Sequence, residues 1–127
     1  MSSCVLDASA VMAYLHKEPG RDALEGLLDE AAISAVNVAE VATRLIDRGG
    51  SQSEARKAVE DLGIETVPFG DALAYEVAAL RSATKHAGLS LGDRACLATA
   101  KSLGVRAITA DRQWSRLRVG VQVQVIR

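Results

Sequence analysis

The chain has 127 residues, of which 49% are apolar, and this favours one domain over residues 1–127 with a core that needs no disulfide or metal support. The formal net charge of −1 excludes a globally basic, nucleic-acid-attracting surface, but five arginines against one acid at 106–127 predict a local basic rim. No signal-peptide pattern and no apolar run of about 20 residues is present, so we expect a cytoplasmic protein without membrane contact.

Short apolar runs alternate with helical patterns along the chain. In chain order, the predicted strands are 4–6, 32–34, 64–67, 107–109 and 121–126. The predicted helices are 9–16 with Ser9 as its cap, 21–30, 36–48, 52–62 behind a Ser51–Glu54 capping box, 71–86 and 91–103, with one helical turn at 112–116. Strands separated by helices predict an α/β fold, a three-layer sandwich whose short, mostly parallel central sheet is flanked by helices.

The two cysteines, Cys4 and Cys96, both lie in apolar stretches. Neither belongs to a CxxC or Cys/His pattern of the kind that binds zinc. We therefore expect two reduced, buried thiols.

Four acids stand in surroundings that do not suit an exposed helix face. Asp7 and Asp111 each directly follow an apolar run, at the predicted ends of strands 4–6 and 107–109. Glu40 lies in a helix whose preceding residues are uncharged, and Asp93 opens an otherwise apolar helix. Taken singly, Asp7 fits a turn and Asp93 fits a helix N-terminus.

Taken together, the four acids indicate a shared site. Ligands of open α/β sheets lie at the carboxyl ends of the strands, and carboxylates gathered there repel one another unless they bind protons or a cation. A ligand set that contains only oxygen suits Mg²⁺, or Mn²⁺ as its substitute. Magnesium keeps several waters, one of which can become the nucleophile that hydrolyses a phosphodiester.

The order and spacing of four short patterns resemble a PIN domain, and most closely the VapC toxins of VapBC toxin–antitoxin pairs. These patterns are Asp7-Ala8-Ser9-Ala10, Glu40 in a helix, Leu91-Gly92-Asp93 and Thr109-Ala110-Asp111. The resemblance covers the chain from Cys4 to its last strand. It implies an Mg²⁺-dependent endoribonuclease, the toxin of a type II toxin–antitoxin pair.

The resemblance also implies the roles of individual residues and the partners. Asp7, Glu40, Asp93 and Asp111 would be the catalytic, metal-binding acids. Ser9 and Thr109 would be supporting hydroxyls that orient ligands. The alternative for Ser9 is a helix cap, and the alternative for Thr109 is an ordinary strand residue. The implied partners are a VapB-type antitoxin, an RNA substrate and a second copy in a homodimer.

Three arginines are candidates for contacts with substrate phosphates. The alternative interpretation is that they are ordinary surface residues. Arg94 and Arg112 each follow a proposed ligand, and Arg116 lies one turn further along. Arg44 lies four residues after Glu40, a spacing that predicts an ion pair with it. Trp114 favours packing, with stacking on unpaired RNA as the alternative.

The N-terminal helices carry more apolar residues than one core requires. Met12, Tyr14 and Leu15 are therefore expected to contribute to an exposed groove for an antitoxin helix or a second subunit. An antitoxin arginine inserted among the four acids would pair well with carboxylate.

Other functions fit parts of the same pattern. A non-catalytic PIN-like module would use the acidic pocket only to bind a metal or a partner's arginine. A phospho-acceptor signalling domain would need an acid after strand 64–67, where Pro68 and Phe69 stand instead. A DNA nuclease would use the same metal chemistry, so the choice of RNA rests on the resemblance alone.

Overall fold

The computed structural model of the protein describes residues 1–127, and it contains one sheet of five parallel strands in the order β3-β2-β1-β4-β5. The strands are β1 (Cys4–Leu6), β2 (Ala31–Ser34), β3 (Glu65–Val67), β4 (Arg106–Thr109) and β5 (Val123–Val125). The helices are α1 (Ala8–Leu15), α2 (Ala35–Asp47), α3 (Gln52–Glu60), α4 (Asp71–Ala79), α5 (Arg81–Thr84) and α6 (Leu91–Leu103). The predicted α/β sandwich is confirmed.

Helices cover both faces of the sheet because the central strands are apolar on both faces. Every residue of β1 and β2 is buried, and such continuous apolar strands are typical of parallel sheets. Val5 packs with α6 and with Val77 of α4 on one face, whereas Leu6 packs with α1 and with Val41 of α2 on the other. The alternation of neighbouring strand residues thus gives the sheet two separate cores.

The strand order brings the first and fourth strands together. Strand β1 pairs with β2 on one side and β4 on the other, and Leu6 lies beside Ile108 in the register. The residues that follow this pair meet at the same edge, where the Asp7 amide donates to Ile108 O at 3.0 Å. This is the topological switch point, where an open α/β sheet has room for a ligand.

Two predicted helices are wrong in part. Residues 21–30 form two 3₁₀ turns, Arg21–Leu24 and Leu28–Glu30, because Gly26 at φ +80° interrupts any continuous helix. The predicted helix 71–86 is divided into α4, α5 and the 3₁₀ turn Lys85–Ala87. The remaining helices, including α6 and the capping box of α3, agree with the prediction within two residues.

The first helix differs from expectation at its cap and on its outer face. Asp7, not Ser9, caps α1, because its carboxylate accepts the amide of Ala10. Met12 is 4% exposed and belongs to the core, so its expected place in a partner groove is wrong. Tyr14 is half-buried, and the guanidinium carbon of Arg21 lies 4.3 Å from its ring centroid.

Both thiols are free and buried, as predicted. Burial raises the pKa of Cys4, and it raises the pKa of Cys96 well above the ordinary value. No helix combines the length and the apolar character that crossing a bilayer requires.

Candidate active site

Asp7 is a buried carboxylate at the switch point. Its side chain lies between β1 and β4, and the residue is only 3% exposed. Three groups donate to it: the Ala10 amide to Oδ1 at 2.8 Å, Ser9 Oγ to Oδ1 at 2.8 Å, and Thr109 Oγ1 to Oδ2 at 2.6 Å. All three donors are neutral, so no counter-ion compensates the charge.

The electrostatics of Asp7 follow from this burial. The pKa of Asp7 is raised from 3.8 to about 6, mainly because burial removes water from the carboxylate. The hydrogen bonds from Thr109, Ala10 and Ser9 lower this pKa, and the negative charge of Asp93 makes a smaller contribution that raises it. The carboxylate is therefore ionised at neutral pH at a cost in folding free energy, a common property of functional acids.

Ser9 and Thr109 join the ends of the two strands through their hydroxyls. Their oxygens lie 3.2 Å apart, and each contacts the carboxylate of Asp7. Ser9 Oγ also accepts the amide of Ala110 at 2.9 Å, and Thr109 Oγ1 accepts the amide of Asp111 at 3.0 Å. The two hydroxyls thus connect Asp7 to the segment that carries Asp111.

Asp111 lies at the start of a 3₁₀ turn beside this edge. Its carboxylate caps the 3₁₀ turn Arg112–Arg116 by accepting the amide of Gln113 at 3.0 Å. Together with Ser9 and Arg112 it lines an open cleft of about 630 Å³. Asp111 is thus connected to Asp7 through Thr109, and its own carboxylate remains half-exposed.

Asp93 and Glu40 come from two helices that meet beside Asp7. Asp93 belongs to the capping box of α6, in which the Ser90 amide donates to Asp93 Oδ2 at 2.9 Å and the Asp93 amide donates to Ser90 Oγ at 3.1 Å. Glu40 lies on α2, and its Oε1 accepts Asn37 Nδ2 at 2.7 Å.

The surroundings of Cys96 indicate that three of the acids occupy one neighbourhood. Cys96 is fully buried on α6, and desolvation is the main cause of its raised pKa. The charges of Asp7, Asp93 and Glu40 each raise it further. The carboxylates of Asp7 just after β1, Glu40 on α2 and Asp93 on α6 therefore lie near one buried thiol, although no three of these side chains are arranged as a metal-ligand group.

Of the arginines, Arg112 lies nearest the candidate site. It lines the cleft of Asp111, and its Nε donates to Arg127 O at 3.0 Å. Arg116 is exposed beside a neighbouring cleft of about 590 Å³, which Arg112 also lines. Arg94 instead lies against α4, where its Nη1 donates to Val77 O at 3.0 Å.

Of two sequence expectations near the site, the one for Arg44 is wrong and the packing role expected of Trp114 is confirmed. Arg44 forms no ion pair with Glu40, because it is exposed while Asn37 holds the carboxylate from one turn earlier. Trp114 is 0% exposed in the core beside α6, so it packs and has no free face for a base. Asn37 is uncharged, so nothing in the sequence marked it as a site residue. Only its spacing of three residues from Glu40 on a helix could have indicated the contact between them.

A model of the PIN domain family matches residues 4–120 of the chain. The chain belongs to the PIN domain family. A search of the curated proteins found no match.

Solved VapBC and VapC structures have the same fold. The DNA-bound VapBC complex of Salmonella typhimurium superposes with a TM-score of 0.78 at 16% identity, over 100% of both chains. VapBC-5 of Mycobacterium tuberculosis gives 0.65 at 26% identity, over 98% of both chains. VapC20 of the same organism, a sarcin-ricin loop cleaving toxin, gives 0.75 at 16% identity over 94% of this chain and 99% of its own.

Proposed function

We propose that this PIN domain is the toxin of a type II toxin–antitoxin pair and acts as an Mg²⁺-dependent endoribonuclease. The observation that carries the proposal is Asp7, a buried carboxylate without a counter-ion at the switch point of the sheet. The fold likeness to a VapBC complex supports the toxin assignment, and the likeness to VapC20, a sarcin-ricin loop cleaving toxin, supports the choice of an RNA substrate.

The donor chemistry at this edge fits a hard divalent cation. Asp7, Glu40, Asp93 and Asp111 would hold Mg²⁺, or Mn²⁺ in its place, through oxygen atoms alone. When bound, the ion would supply a water of lowered pKa and neutralise charge on the phosphate. No protein group donates to Glu40 Oε2, which leaves that atom available as a ligand.

The protein's own residues would prepare Asp7 for this role. Ser9 and Thr109 hold both of its oxygens in place, so little ordering remains to be done when a cation binds. Above about pH 6, Asp7 has released its proton and carries the negative charge that a cation would need.

The arginine-rich segment would bind the substrate. Arg112 and Arg116 stand at two clefts beside Asp111, where phosphates of RNA would reach them. Arg94 remains a candidate for phosphate contact only if it leaves Val77 O, to which it now donates.

The partner would be a VapB-type antitoxin in the cytoplasm, and two copies of the chain would form a homodimer. The similarity to VapBC complexes supports the antitoxin. Between α2 and α3 the surface has a groove of about 1020 Å³ with a mixed lining, whose apolar part includes Val38, Ala42 and Ile46. A groove of this kind suits the apolar face of an amphipathic helix.

One observation favours a second candidate, a PIN-like module that binds without cleaving. Each of the four carboxylates accepts a hydrogen bond from a protein donor, and no three are arranged as a metal-ligand group. Such a pocket would suit a partner's guanidinium.

The deciding experiment is cleavage of a mixed RNA pool by the purified full chain, with Mg²⁺, with Mn²⁺ and with EDTA. Asp7→Asn serves as the test variant. Asp71→Asn, at the exposed start of α4, is the matched control. We expect metal-dependent cleavage that Asp7→Asn abolishes and Asp71→Asn retains. Binding of the pool without cleavage in any lane would favour the second candidate, and equal cleavage by Asp7→Asn would refute the site.

A further inference from the structure

We infer that Asn37 is a positioning residue, which holds the Glu40 carboxylate against the first turn of α6 and leaves one of its oxygens for a cation. The inference rests on the proposed function, because it assigns Glu40 to a metal site. Asn37 lies on α2 one turn before Glu40 and is 1% exposed.

The amide nitrogen of Asn37 makes two bonds that join separate elements. Nδ2 donates to Glu40 Oε1 at 2.7 Å and to Gly92 O at 3.0 Å, so one side chain connects the carboxylate on α2 with the backbone of α6. Both acceptors are oxygens, which determines the orientation of the amide, since its reverse would place Oδ1 against a carboxylate and a carbonyl.

The orientation of Asn37 has a cost that a purely structural role does not explain. With Nδ2 committed, its Oδ1 is buried and has no hydrogen-bond partner. A buried polar atom without a partner destabilises the fold. A residue that served only to pack α2 against α6 would be better replaced by an apolar side chain of the same size.

Gly92 provides the space that this arrangement needs. A Cβ atom at Gly92 would lie 2.5 Å from Cδ of Glu40, well inside van der Waals contact. The carboxylate therefore lies directly against the α6 backbone, one residue before Asp93. Asn37 holds it there from one side, and the missing side chain of Gly92 admits it from the other.

The consequence concerns which oxygen of Glu40 is available. Asn37 occupies Oε1, and no protein group donates to Oε2. A carboxylate that is already oriented loses less side-chain freedom when a cation binds. Asn37 thus acts through Glu40 and does not itself contact the cation.

The test is titration of Mn²⁺ into the full chain by calorimetry, with thermal unfolding as a check of the fold. The variants are Asn37→Ala, Glu40→Gln and the double variant. Thr43→Ala is the matched control, because it removes a side-chain hydrogen bond from the same helix at an exposed position. We expect Asn37→Ala to weaken Mn²⁺ binding about tenfold and Thr43→Ala to leave it unchanged.

The double variant separates positioning from packing. If Asn37 acts through Glu40, Asn37→Ala has no further effect on Mn²⁺ affinity once Glu40 is replaced. Equal loss in both backgrounds, or parental affinity in Asn37→Ala, would overturn the inference while the metal site stands. If Asn37→Ala does not fold, Asn37→Ser gives the same comparison, because serine is too short to reach both acceptors. A parent chain without Mn²⁺ binding would overturn the proposed metal site, and the inference with it.

Discussion

Two helices of this protein begin with the same local motif in very different surroundings. Ser51 and Glu54 form a capping box at the start of α3, and Ser90 and Asp93 form one at the start of α6, with matching bonds of 2.8–3.1 Å. Glu54 is exposed, and the hydrogen bonds from Ser51 lower its pKa. Asp93 instead lies near Asp7, whose pKa its charge helps to raise.

Two capping boxes with the same local hydrogen bonds can therefore have different roles in the protein. Both boxes satisfy the free amides at a helix start. Only the fold decides whether the capping acid faces solvent or other carboxylates.

Replacement of the two capping acids should separate function from capping. We expect Asp93→Asn to lower metal-dependent RNA cleavage at least about 100-fold, since even residues that only support metal ligands cost 10–100-fold. Glu54→Gln should leave cleavage unchanged. Asparagine and glutamine both retain a capping oxygen, so the two variants should unfold within about 0.5 kcal/mol of the parent. Equal cleavage by both variants would remove Asp93 from the site.

Asp7 should show that a buried site acid destabilises the fold. The rise of its pKa from 3.8 to about 6 corresponds to about 3 kcal/mol. Because the folded pKa is the higher one, this contribution is present below about pH 4 and is lost as the pH rises through about 6. We expect Asp7→Asn to be more stable than the parent by about 2 kcal/mol at pH 7.5, somewhat less than the full value because the new amide lacks an acceptor.

Urea unfolding of both proteins between pH 4 and pH 8 measures this difference. The advantage of Asp7→Asn should grow from pH 4 to pH 6 and then remain constant. Glu54→Gln is the contrasting control, because hydrogen bonds lower the pKa of that acid and should give the opposite trend with pH. A constant difference between Asp7→Asn and the parent at every pH would contradict the raised pKa.

Cleavage at limiting Mg²⁺ should depend on the protonation of Asp7. Below its pKa of about 6 in the metal-free chain, the carboxyl must lose a proton before it can act as a ligand, so activity should fall roughly tenfold per pH unit. Initial rates at saturating RNA from pH 5 to pH 8 measure this dependence. A rate that stays level down to pH 5 would mean that Asp7 is ionised throughout or is not required.

The smallest expected effect concerns the two capping serines. Ser51→Ala and Ser90→Ala should each lose about 1 kcal/mol of unfolding free energy, the usual value of an N-cap. Only Ser90→Ala should also weaken Mn²⁺ binding, because the Ser90 hydroxyl orients the segment that carries Asp93. If both variants bind Mn²⁺ as the parent does, the α6 box serves the helix alone.

Much of the fold could be predicted because the signals are local. The apolar run at β1, the capping box of α3 and the glycine after α6 each determine a boundary with residues close in sequence. Local reasoning failed at 21–30, where Gly26 adopts a left-handed conformation inside an otherwise helical pattern. It failed at Arg44 because helical spacing brings two groups within reach without showing which of them turns to solvent.

Neighbouring residues alone indicate the order of strands and helices and the acids that follow two of the strands, and they carry the resemblance to the PIN family. The packing of distant elements is needed to place β1 beside β4, Thr109 against Asp7, and Asn37 between Glu40 and Gly92. The contacts between separate elements join residues 55 to 102 positions apart, and the free energy of packing, not local preference, selects them.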